Sequence, residues 1–332
     1  MDRPLAALTG ATGFLGRHVA QALHEAGWRL RVLARGDAAP EGLEPFEPQV
    51  VAGRLGDPPA LERLVEGAQA VVHAAGLIKA AKLSDFLKIN AEGAATVARA
   101  AARRAPDARF ILVSSLSARE PSLSAYAASK AAGEAAVRAV LAPERLTPAR
   151  LTIVRPPAIY GPGDRETLAL FQAAASLPML PLLGGARARI AVIHVADAAA
   201  QIAALASQPC EGQTWALADG RPEGYGWREL LETATRTLGR HPPLVRLPPA
   251  VILGLGATNS LIARLGGPAQ ILSLGKAREM LHTDWSVGPA ELAPNIPPAR
   301  FGLAEGFADV VVWYRAQGWL KGQAVLSTSP EG

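Results

Sequence analysis

The chain has 332 residues, of which 49% are hydrophobic and 19% charged, a balance that excludes an intrinsically disordered polypeptide. There are 34 Lys+Arg against 29 Asp+Glu, a formal net charge of +5, and the basic residues are scattered, so we predict no nucleic-acid partner. Cys210 is the only cysteine and cannot form an internal disulfide, and no Cys/His cluster has zinc spacing. We therefore predict a cytoplasmic protein without a metal site.

No segment is predicted to span a membrane. The longest apolar stretches, 168–185 and 247–266, are broken by prolines, and the second also contains Asn259 and Arg264. A spanning helix needs about 20 nearly uninterrupted apolar residues. The few residues before Gly10 are too short for the apolar core of a secretory signal.

Strand and helix patterns alternate over the first 155 residues. Short apolar runs predict strands at 5–8, 30–33, 49–52, 70–74, 110–113 and 151–154. Helical segments are predicted at 14–26, 59–66, 91–104 and 125–140. Apolar strands separated by helices are typical of a doubly wound parallel α/β sheet, the Rossmann architecture.

The pattern changes after residue 157, where proline and glycine interrupt the chain. One more strand is predicted over 191–195, followed by a helix that Asp197 caps and that ends near 207. From about 220, helices alternate with Pro-rich turns, which indicates a smaller, mostly helical second domain. The predicted division is a dinucleotide-binding domain over 1–157 with a returning strand and helix at about 190–217, a substrate-binding region over 158–189 and 218–321, and a flexible tail over 322–332.

A glycine-rich turn follows the first predicted strand and opens the first helix. Gly10, Gly13 and Gly16 let the backbone approach a pyrophosphate closely, and the helix N-terminus supplies N–H donors. The turn therefore predicts a dinucleotide cofactor. The residues predicted to contact it here are Gly10, Thr12, Gly13, Phe14, Leu15 and Gly16.

The end of the second strand bears on which cofactor binds. Enzymes that use NAD usually place a carboxylate there for the ribose 2′-hydroxyl, whereas this strand ends Ala34-Arg35. Because arginine pairs well with a phosphate, we predict NADP in preference to NAD. The alternative is that Arg35 is a solvated loop residue and either cofactor binds.

A serine, a tyrosine and a lysine suggest acid–base chemistry on a carbonyl or alcohol. The fifth strand ends in Ser114-Ser115, and Tyr126 and Lys130 lie four residues apart, on one face of a predicted helix. A nearby ammonium favours the phenolate, so Lys130 is expected to lower the pKa of Tyr126. The serine hydroxyl would hold the substrate oxygen, and Asn90, before the long helix, would carry a proton-relay water.

At these residues the chain resembles the extended branch of the short-chain dehydrogenase/reductase superfamily, the NAD-dependent epimerase/dehydratase family. The motifs that carry the resemblance are Thr9-Gly10-x-x-Gly13-x-x-Gly16, Asp57, His73-Ala74-Ala75-Gly76, Asn90-x-x-Gly93, Ser114-Ser115, Tyr126-x-x-x-Lys130 and Arg155-Pro156-Pro157-Ala158-Ile159-Tyr160-Gly161-Pro162. The last motif is closest to the 3β-hydroxysteroid dehydrogenase and dihydroflavonol reductase side of the branch.

The resemblance implies roles for individual residues. Leu55 and Asp57 would flank the adenine, and Lys130 would also bind the nicotinamide ribose. The remaining cofactor contacts implied are Ala74, Ala75, Gly76, Ser114, Tyr126, Pro156 and Ile159. Ser115 best matches the family serine, with Ser114 and Ser117 as alternatives. Ser117, Tyr160 and Arg165 are candidate substrate contacts, although a solvated loop fits the segment 164–166 slightly better.

Three functions stay open at this point. The first is an NADP- or NAD-dependent oxidoreductase acting on a carbonyl or secondary alcohol of a small, mainly apolar molecule. The second is a nucleotide-sugar epimerase or dehydratase, although Pro157 stands where those enzymes usually carry an asparagine. The third is a cofactor-bearing subunit like the accessory subunit of respiratory complex I. A homodimer is an open alternative for the oligomeric state.

Overall fold

A computed structural model describes residues 3–141, 150–183, 185, 187–209, 212–265 and 272–321. The strands are β1 (Leu5–Thr9), β2 (Arg29–Ala34), β3 (Gln49–Ala52), β4 (Ala70–His73), β5 (Arg109–Val113), β6 (Leu151–Arg155), β7 (Ala158–Tyr160), β8 (Leu180–Leu182), β9 (Arg189–Ile190), β10 (Val192–His194), β11 (Thr214–Ala216), β12 (Leu244–Arg246) and β13 (Asp284–Trp285). The helices are α1 (Phe14–Glu25), α2 (Pro58–Val65), α3 (Leu83–Leu87), α4 (Ala94–Arg104), α5 (Ala125–Leu141), α6 (Glu166–Ser176), α7 (Val195–Ser207), α8 (Trp227–Thr237), α9 (Pro249–Arg264), α10 (Leu274–Leu281) and α11 (Leu303–Ala316).

Seven parallel strands form the central sheet in the order β11-β6-β5-β4-β1-β2-β3. β1 pairs with β2 on one side and with β4 on the other, so the strand order reverses at β1. Ligands of open α/β sheets bind in the crevice at such a reversal, beyond the carboxyl ends of the strands. The predicted doubly wound parallel sheet is confirmed.

Helices cover both faces of the sheet, and β1 is buried on both sides. Leu5 and Ala7 pack toward the layer that contains α2, α4 and α5, whereas Ala6 and Leu8 pack toward α1 and α7. Strands buried on both faces have continuous apolar sequences because neither face meets water. This is why the sheet is readable from short apolar runs.

The second core lies outside the sheet and is formed mainly by α6, α8 and α11. Phe171, Phe307 and Tyr314 are fully or almost fully buried there. The rings of Phe171 and Phe307 meet edge to face with centroids 5.1 Å apart. The remaining strands form only the small parallel pairs β7–β10, β8–β12 and β9–β13. The C-terminal part of the molecule, which contains α8 to α11, is therefore mostly helical, as predicted.

The strand predicted over 191–195 is only partly correct. β9 and β10 divide this region, neither belongs to the seven-stranded sheet, and residue 195 already begins α7. The strand that joins the sheet beside β6 is β11, whose three residues are too short to give a periodic signal.

The predicted cap of α7 is wrong. The cap is His194, whose Nδ1 accepts a hydrogen bond from the Ala196 N–H. Asp197 lies inside the helix, and its carboxylate accepts hydrogen bonds from the backbone N–H groups of Arg300 and Phe301. A carboxylate near a helix start can cap that helix or accept hydrogen bonds from another segment. Asp197 does the second, because residues 300–301 pack against the start of α7.

The helix predicted to begin at residue 91 begins earlier. α3 starts at Leu83, a π-helical turn follows over Lys88–Gly93, and α4 continues from Ala94. Asn90 therefore lies inside a continuous helical segment, and its side chain bonds a neighbouring loop rather than capping the helix.

Several predictions concern residues that lie outside the described part of the chain, namely Cys210 and the tail over 322–332. Within the described part, no helix is both long and apolar enough to cross a bilayer. No group of three or more metal-ligating side chains occurs among the residues that the structure describes.

Candidate active site

The glycine turn lies at the strand-order reversal, between the carboxyl ends of β1 and β4. Gly10 has a φ of +80°, and a Cβ there would lie 2.5 Å from the Ala75 nitrogen. A Cβ on Gly16 would collide with the Gly10 carbonyl oxygen. Both positions therefore require glycine for the turn itself to form.

The N-terminus of α1 remains open to a ligand. Gly13 is its N-cap, no side chain caps it, and both Gly13 and Thr12 are exposed. Phe14 and Leu15 follow, half-buried, in the first turn of α1. Uncapped N–H groups beside an exposed glycine at this edge of the sheet fit the pyrophosphate of a dinucleotide.

The predicted adenine-side residues surround the ends of β2 and β3. Arg35 is exposed directly after β2, and its guanidinium has no ion-pair partner within the described ranges. Leu55 is half-buried against Gly93. Asp57 caps α2, because its Oδ1 accepts a hydrogen bond from the Ala60 N–H at 3.2 Å.

The loop after β4 crosses the glycine turn. Ala74 and Ala75 pass against Gly10, and Gly76 is exposed and close to Lys130. Below them, the Thr9 hydroxyl and His73 Nδ1 are 2.7 Å apart, and both residues are buried. Burial, with a smaller contribution from the charge of Lys130, lowers the pKa of His73 to about 3.

Ser114 is buried and bonded to a carboxylate of α5. Its hydroxyl donates to Glu134 Oε1 at 2.5 Å, and Glu134 in turn accepts two hydrogen bonds from Arg155. Because this hydroxyl is buried and engaged, the geometry argues against Ser114 as the residue that holds substrate.

Ser115 is the serine that contacts the tyrosine. It is half-buried, it lowers the pKa of Tyr126 against the effect of burial, and its Oγ accepts a hydrogen bond from the Ser117 hydroxyl at 2.9 Å. Ser117 is itself 8% exposed. Of the three candidate serines, Ser115 is therefore the one that influences the tyrosine.

The expected lowering of the Tyr126 pKa is wrong for this structure. Burial raises the pKa of Tyr126 to about 12, the charges of Glu279 and Glu166 add to the rise, and the hydrogen bond to Ser115 opposes it. Phe86 packs edge-on to the ring, with centroids 6.2 Å apart. Tyr126 therefore holds its proton at neutral pH and is set to donate it.

Lys130 lies one helical turn after Tyr126 and reaches the end of β5. Its Nζ donates to the Val113 carbonyl oxygen at 2.8 Å. Burial lowers the pKa of Lys130 to about 8, and the charge of Glu134 partly opposes this. An ammonium that titrates near neutrality beside a tyrosine can stabilise a phenolate and can release a proton.

Asn90 is buried and fully engaged. Its Oδ1 accepts from the Leu77 N–H at 2.7 Å, and its Nδ2 donates to the Leu77 carbonyl and to the Ser129 hydroxyl. These bonds join the loop after β4 to α5. The bonds argue that Asn90 positions this loop against α5. The predicted role of holding a water would need a polar side-chain atom of Asn90 that is not already bonded.

The remaining predicted contacts lie after β6. Pro156 is buried, and Ile159 is half-buried in β7. Tyr160 is 3% exposed and packs on Phe307, which argues against the predicted contact with substrate. Arg165 is exposed, and its guanidinium lies 4.3 Å from the ring centroid of Trp319.

Sequence reasoning missed the acidic residues around α5, the helix that carries Tyr126 and Lys130. Glu134 follows Lys130 by four residues and shares its helical face, a spacing that could have indicated the contact. Glu279 accepts a hydrogen bond from the Ser124 hydroxyl, two residues before Tyr126. No local signal predicts that contact, because 155 residues separate the two partners.

The chain belongs to the NAD dependent epimerase/dehydratase family, whose match extends over residues 6–218. Fold and family together make it an NAD(P)-dependent oxidoreductase of the extended short-chain dehydrogenase/reductase type.

Three relatives show different uses of this fold. The chain is 52% identical over 318 residues to the ceramide reductase of Caulobacter vibrioides, covering 96% of both chains. It is 31% identical to subunit 9 of the NADH dehydrogenase [ubiquinone] 1 alpha subcomplex of Arabidopsis thaliana, over 74% of this chain and 60% of that one. It is 27% identical to the 4-hydroxy-2-methyl-3-oxo-4-farnesyl-3,4-dihydroquinoline-1-oxide ketoreductase of Stigmatella aurantiaca, over 80% of this chain and 84% of that one.

A solved structure agrees in fold. The crystal structure of gox2253 superposes with a TM-score of 0.74 at 22% identity, covering 96% of this chain and all of that one.

Proposed function

We propose that this protein reduces a ketone of a ceramide-type lipid to a secondary alcohol. The carrying observation is that Tyr126 and Lys130 lie one turn apart on α5, with Ser115 beside the tyrosine and the Lys130 Nζ bonded to the Val113 carbonyl at 2.8 Å. The substrate class rests on the 52% identity to a ceramide reductase over nearly the whole chain. Ceramides carry secondary alcohols, so the compound that a reductase would consume is the corresponding ketone.

The side chains divide the reduction between them. The Ser115 hydroxyl donates a hydrogen bond to the carbonyl oxygen, and the Tyr126 hydroxyl gives that oxygen its proton. Lys130 stabilises the phenolate that remains. When bound, the reduced nicotinamide supplies the hydride that adds to the carbonyl carbon.

The test is reduction of a keto-ceramide by the purified protein with reduced cofactor. Consumption of cofactor and a product with one added H₂ by mass spectrometry are expected. Tyr126→Phe keeps the ring and should lower turnover by roughly 10²–10⁴-fold with little change in cofactor affinity. Turnover of nucleotide sugars without reduction of any ketone would contradict the proposal, as would full activity of Tyr126→Phe.

We also propose that NADP(H) is the preferred cofactor. Arg35 is exposed where a 2′-phosphate would lie, and Asp37 is the first carboxylate after β2. Because the contact is solvent-exposed, Arg35→Ala should weaken NADPH binding by about tenfold and leave NADH binding nearly unchanged. Asp37→Ala is the matched control. Tighter binding of NADH, lost in Asp37→Ala, would reverse the assignment.

A further inference from the structure

Helix α9 turns apolar side chains to solvent. Its described exposed residues carry no charge: Pro249, Ala250, Val251, Gly254, Leu255, Ala257, Thr258, Leu261 and Ile262. Leu255 is 53% exposed, Leu261 57% and Ile262 45%, and Leu265, directly after the helix, is 79% exposed. A surface helix ordinarily presents polar residues to water, so this polarity is inverted.

The inverted orientation is fixed by the polar residues of the same helix, which face inward. Asn259 Nδ2 donates to the Leu272 carbonyl at 2.9 Å, and Ser260 Oγ accepts from the Leu274 N–H at 2.8 Å. The exposed Thr258 hydroxyl donates to the Gly254 carbonyl inside the helix. Among the described side chains of α9, the outward face is therefore left without an unsatisfied donor, as an apolar environment requires.

The sequence around this helix is locally basic. Residues 240–283 contain five basic residues and one acid, and one of the five, Lys276, is paired with that acid at 3.9 Å. The acid is Glu279, which accepts a hydrogen bond from Ser124. Arg246, before α9, and Arg278, on the adjoining α10, are both exposed.

We propose that α9 docks the protein on an anionic lipid bilayer, with Leu255, Leu261, Ile262 and Leu265 entering the interface and the neighbouring basic residues facing the headgroups. Exposed apolar residues combined with basic flanks are what such surfaces bind. A second copy of the chain fits less well, because a two-fold contact through α9 would bring two strongly basic segments together.

This surface adjoins the N-terminus of α5, the helix that carries Tyr126 and Lys130. α9 packs on α10, and a Cβ on Gly275 of α10 would lie 2.7 Å from the Ser124 side chain, two residues before Tyr126. A lipid ketone could then pass from the bilayer to the site, a consequence that rests on the proposed function. The docking itself does not depend on that function.

The test is flotation of the full chain with lipid vesicles. Wild type should float with phosphatidylcholine vesicles that contain phosphatidylglycerol, bind pure phosphatidylcholine weakly, and dissociate in high salt. Leu255→Gln with Ile262→Gln should lower partitioning by about tenfold or more. Val312→Gln, which removes an apolar side chain of α11 with 52% exposure, is the matched control.

Thermal unfolding and cofactor titration show whether each variant is folded, and a single Leu261→Gln variant replaces the pair if it is not. Wild type that stays with the pellet at every lipid composition overturns the proposal, as does a folded α9 variant that floats like wild type. Light scattering that shows a dimer, lost in the α9 variant, without vesicle binding would assign the face to a second copy. None of these measurements uses enzymatic activity, so their failure is distinct from failure of the proposed function.

Discussion

Glu134 joins helix α5 to strand β6 through a two-point ion pair with Arg155. Arg155 Nε donates to Glu134 Oε1 at 2.9 Å, and Nη2 donates to Oε2 at 2.6 Å. The same carboxylate accepts the Ser114 hydroxyl and raises the pKa of Lys130 against the effect of burial. One buried side chain thus connects the end of β5, the end of β6 and α5.

Glu134→Gln is expected to lower the free energy of unfolding by about 2–4 kcal/mol, because it leaves Arg155 half-buried without its anion. The lower part of that range is expected, since the Arg155 side chain retains 25% exposure. Ser114→Ala removes only one hydrogen bond and should cost about 1 kcal/mol. Urea unfolding of both variants tests whether Glu134→Gln loses more free energy of unfolding than Ser114→Ala. Equal losses would mean that the ion pair contributes nothing beyond the serine contact.

Two glycines of the turn should respond differently to substitution. A Cβ on Gly13 would lie 3.2 Å from the Gly10 carbonyl and points to the exposed helix terminus, so Gly13→Val should abolish cofactor binding with unfolding little changed. A Cβ on Gly16 collides with that carbonyl, so Gly16→Ala should cost about 1–3 kcal/mol of stability. Cofactor titration and thermal unfolding separate the two effects. Normal cofactor binding by Gly13→Val would mean that the turn does not hold the pyrophosphate.

The sheet and the glycine turn were predictable because their causes are local. β1 is apolar at every position from Leu5 to Leu8 because it is buried on both faces, and the glycines recur where side chains would collide. The alternation predicts a doubly wound parallel sheet, but more than one strand order is compatible with it, and the order is known from the structure.

The errors have causes that lie far along the chain. Asp197 was predicted as a cap, but the 300–301 segment takes its carboxylate. Tyr126 was expected to have a lowered pKa from its helical neighbour, whereas burial dominates. Local residue spacing predicts neither that residues 300–301 bind Asp197 nor how deeply the Tyr126 ring is buried.

His73 should make the protein sensitive to acid. The pKa of His73 is about 3 in the folded protein, against an ordinary value of 6.5. Between pH 3 and pH 6.5 the unfolded chain therefore binds a proton at this histidine, whereas the folded chain does not. Stability should therefore fall as pH drops from 6.5 toward 3, by up to about 4–5 kcal/mol. Urea unfolding against pH should show this loss reduced in His73→Gln and unchanged in His241→Gln, at an exposed histidine. A His73→Gln protein with the wild-type pH dependence would contradict the assignment.

Lys130 should set the alkaline limit of ketone reduction. Its pKa of about 8 makes it an ammonium below that pH and neutral above it, while Tyr126, with a pKa near 12, keeps its proton throughout. Because only the ammonium stabilises the phenolate left by proton transfer, kcat/KM should be flat below about pH 8 and fall above it. Lys130→Arg should move the fall beyond the measured range, since a guanidinium stays charged.

The same pKa gives a second, independent readout in stability. The unfolded lysine keeps its proton up to about 10.5, whereas the folded one loses it near 8, so the unfolded state binds more protons in that window. Stability should therefore rise between pH 8 and 10.5 through this group, by about 3 kcal/mol, and the rise should be absent in Lys130→Met. Lys130→Met should also reduce turnover at every pH and weaken cofactor binding, whereas Tyr126→Phe should reduce turnover alone. An alkaline fall in rate that persists unchanged in both Lys130→Arg and Lys130→Met would assign the titration to another group.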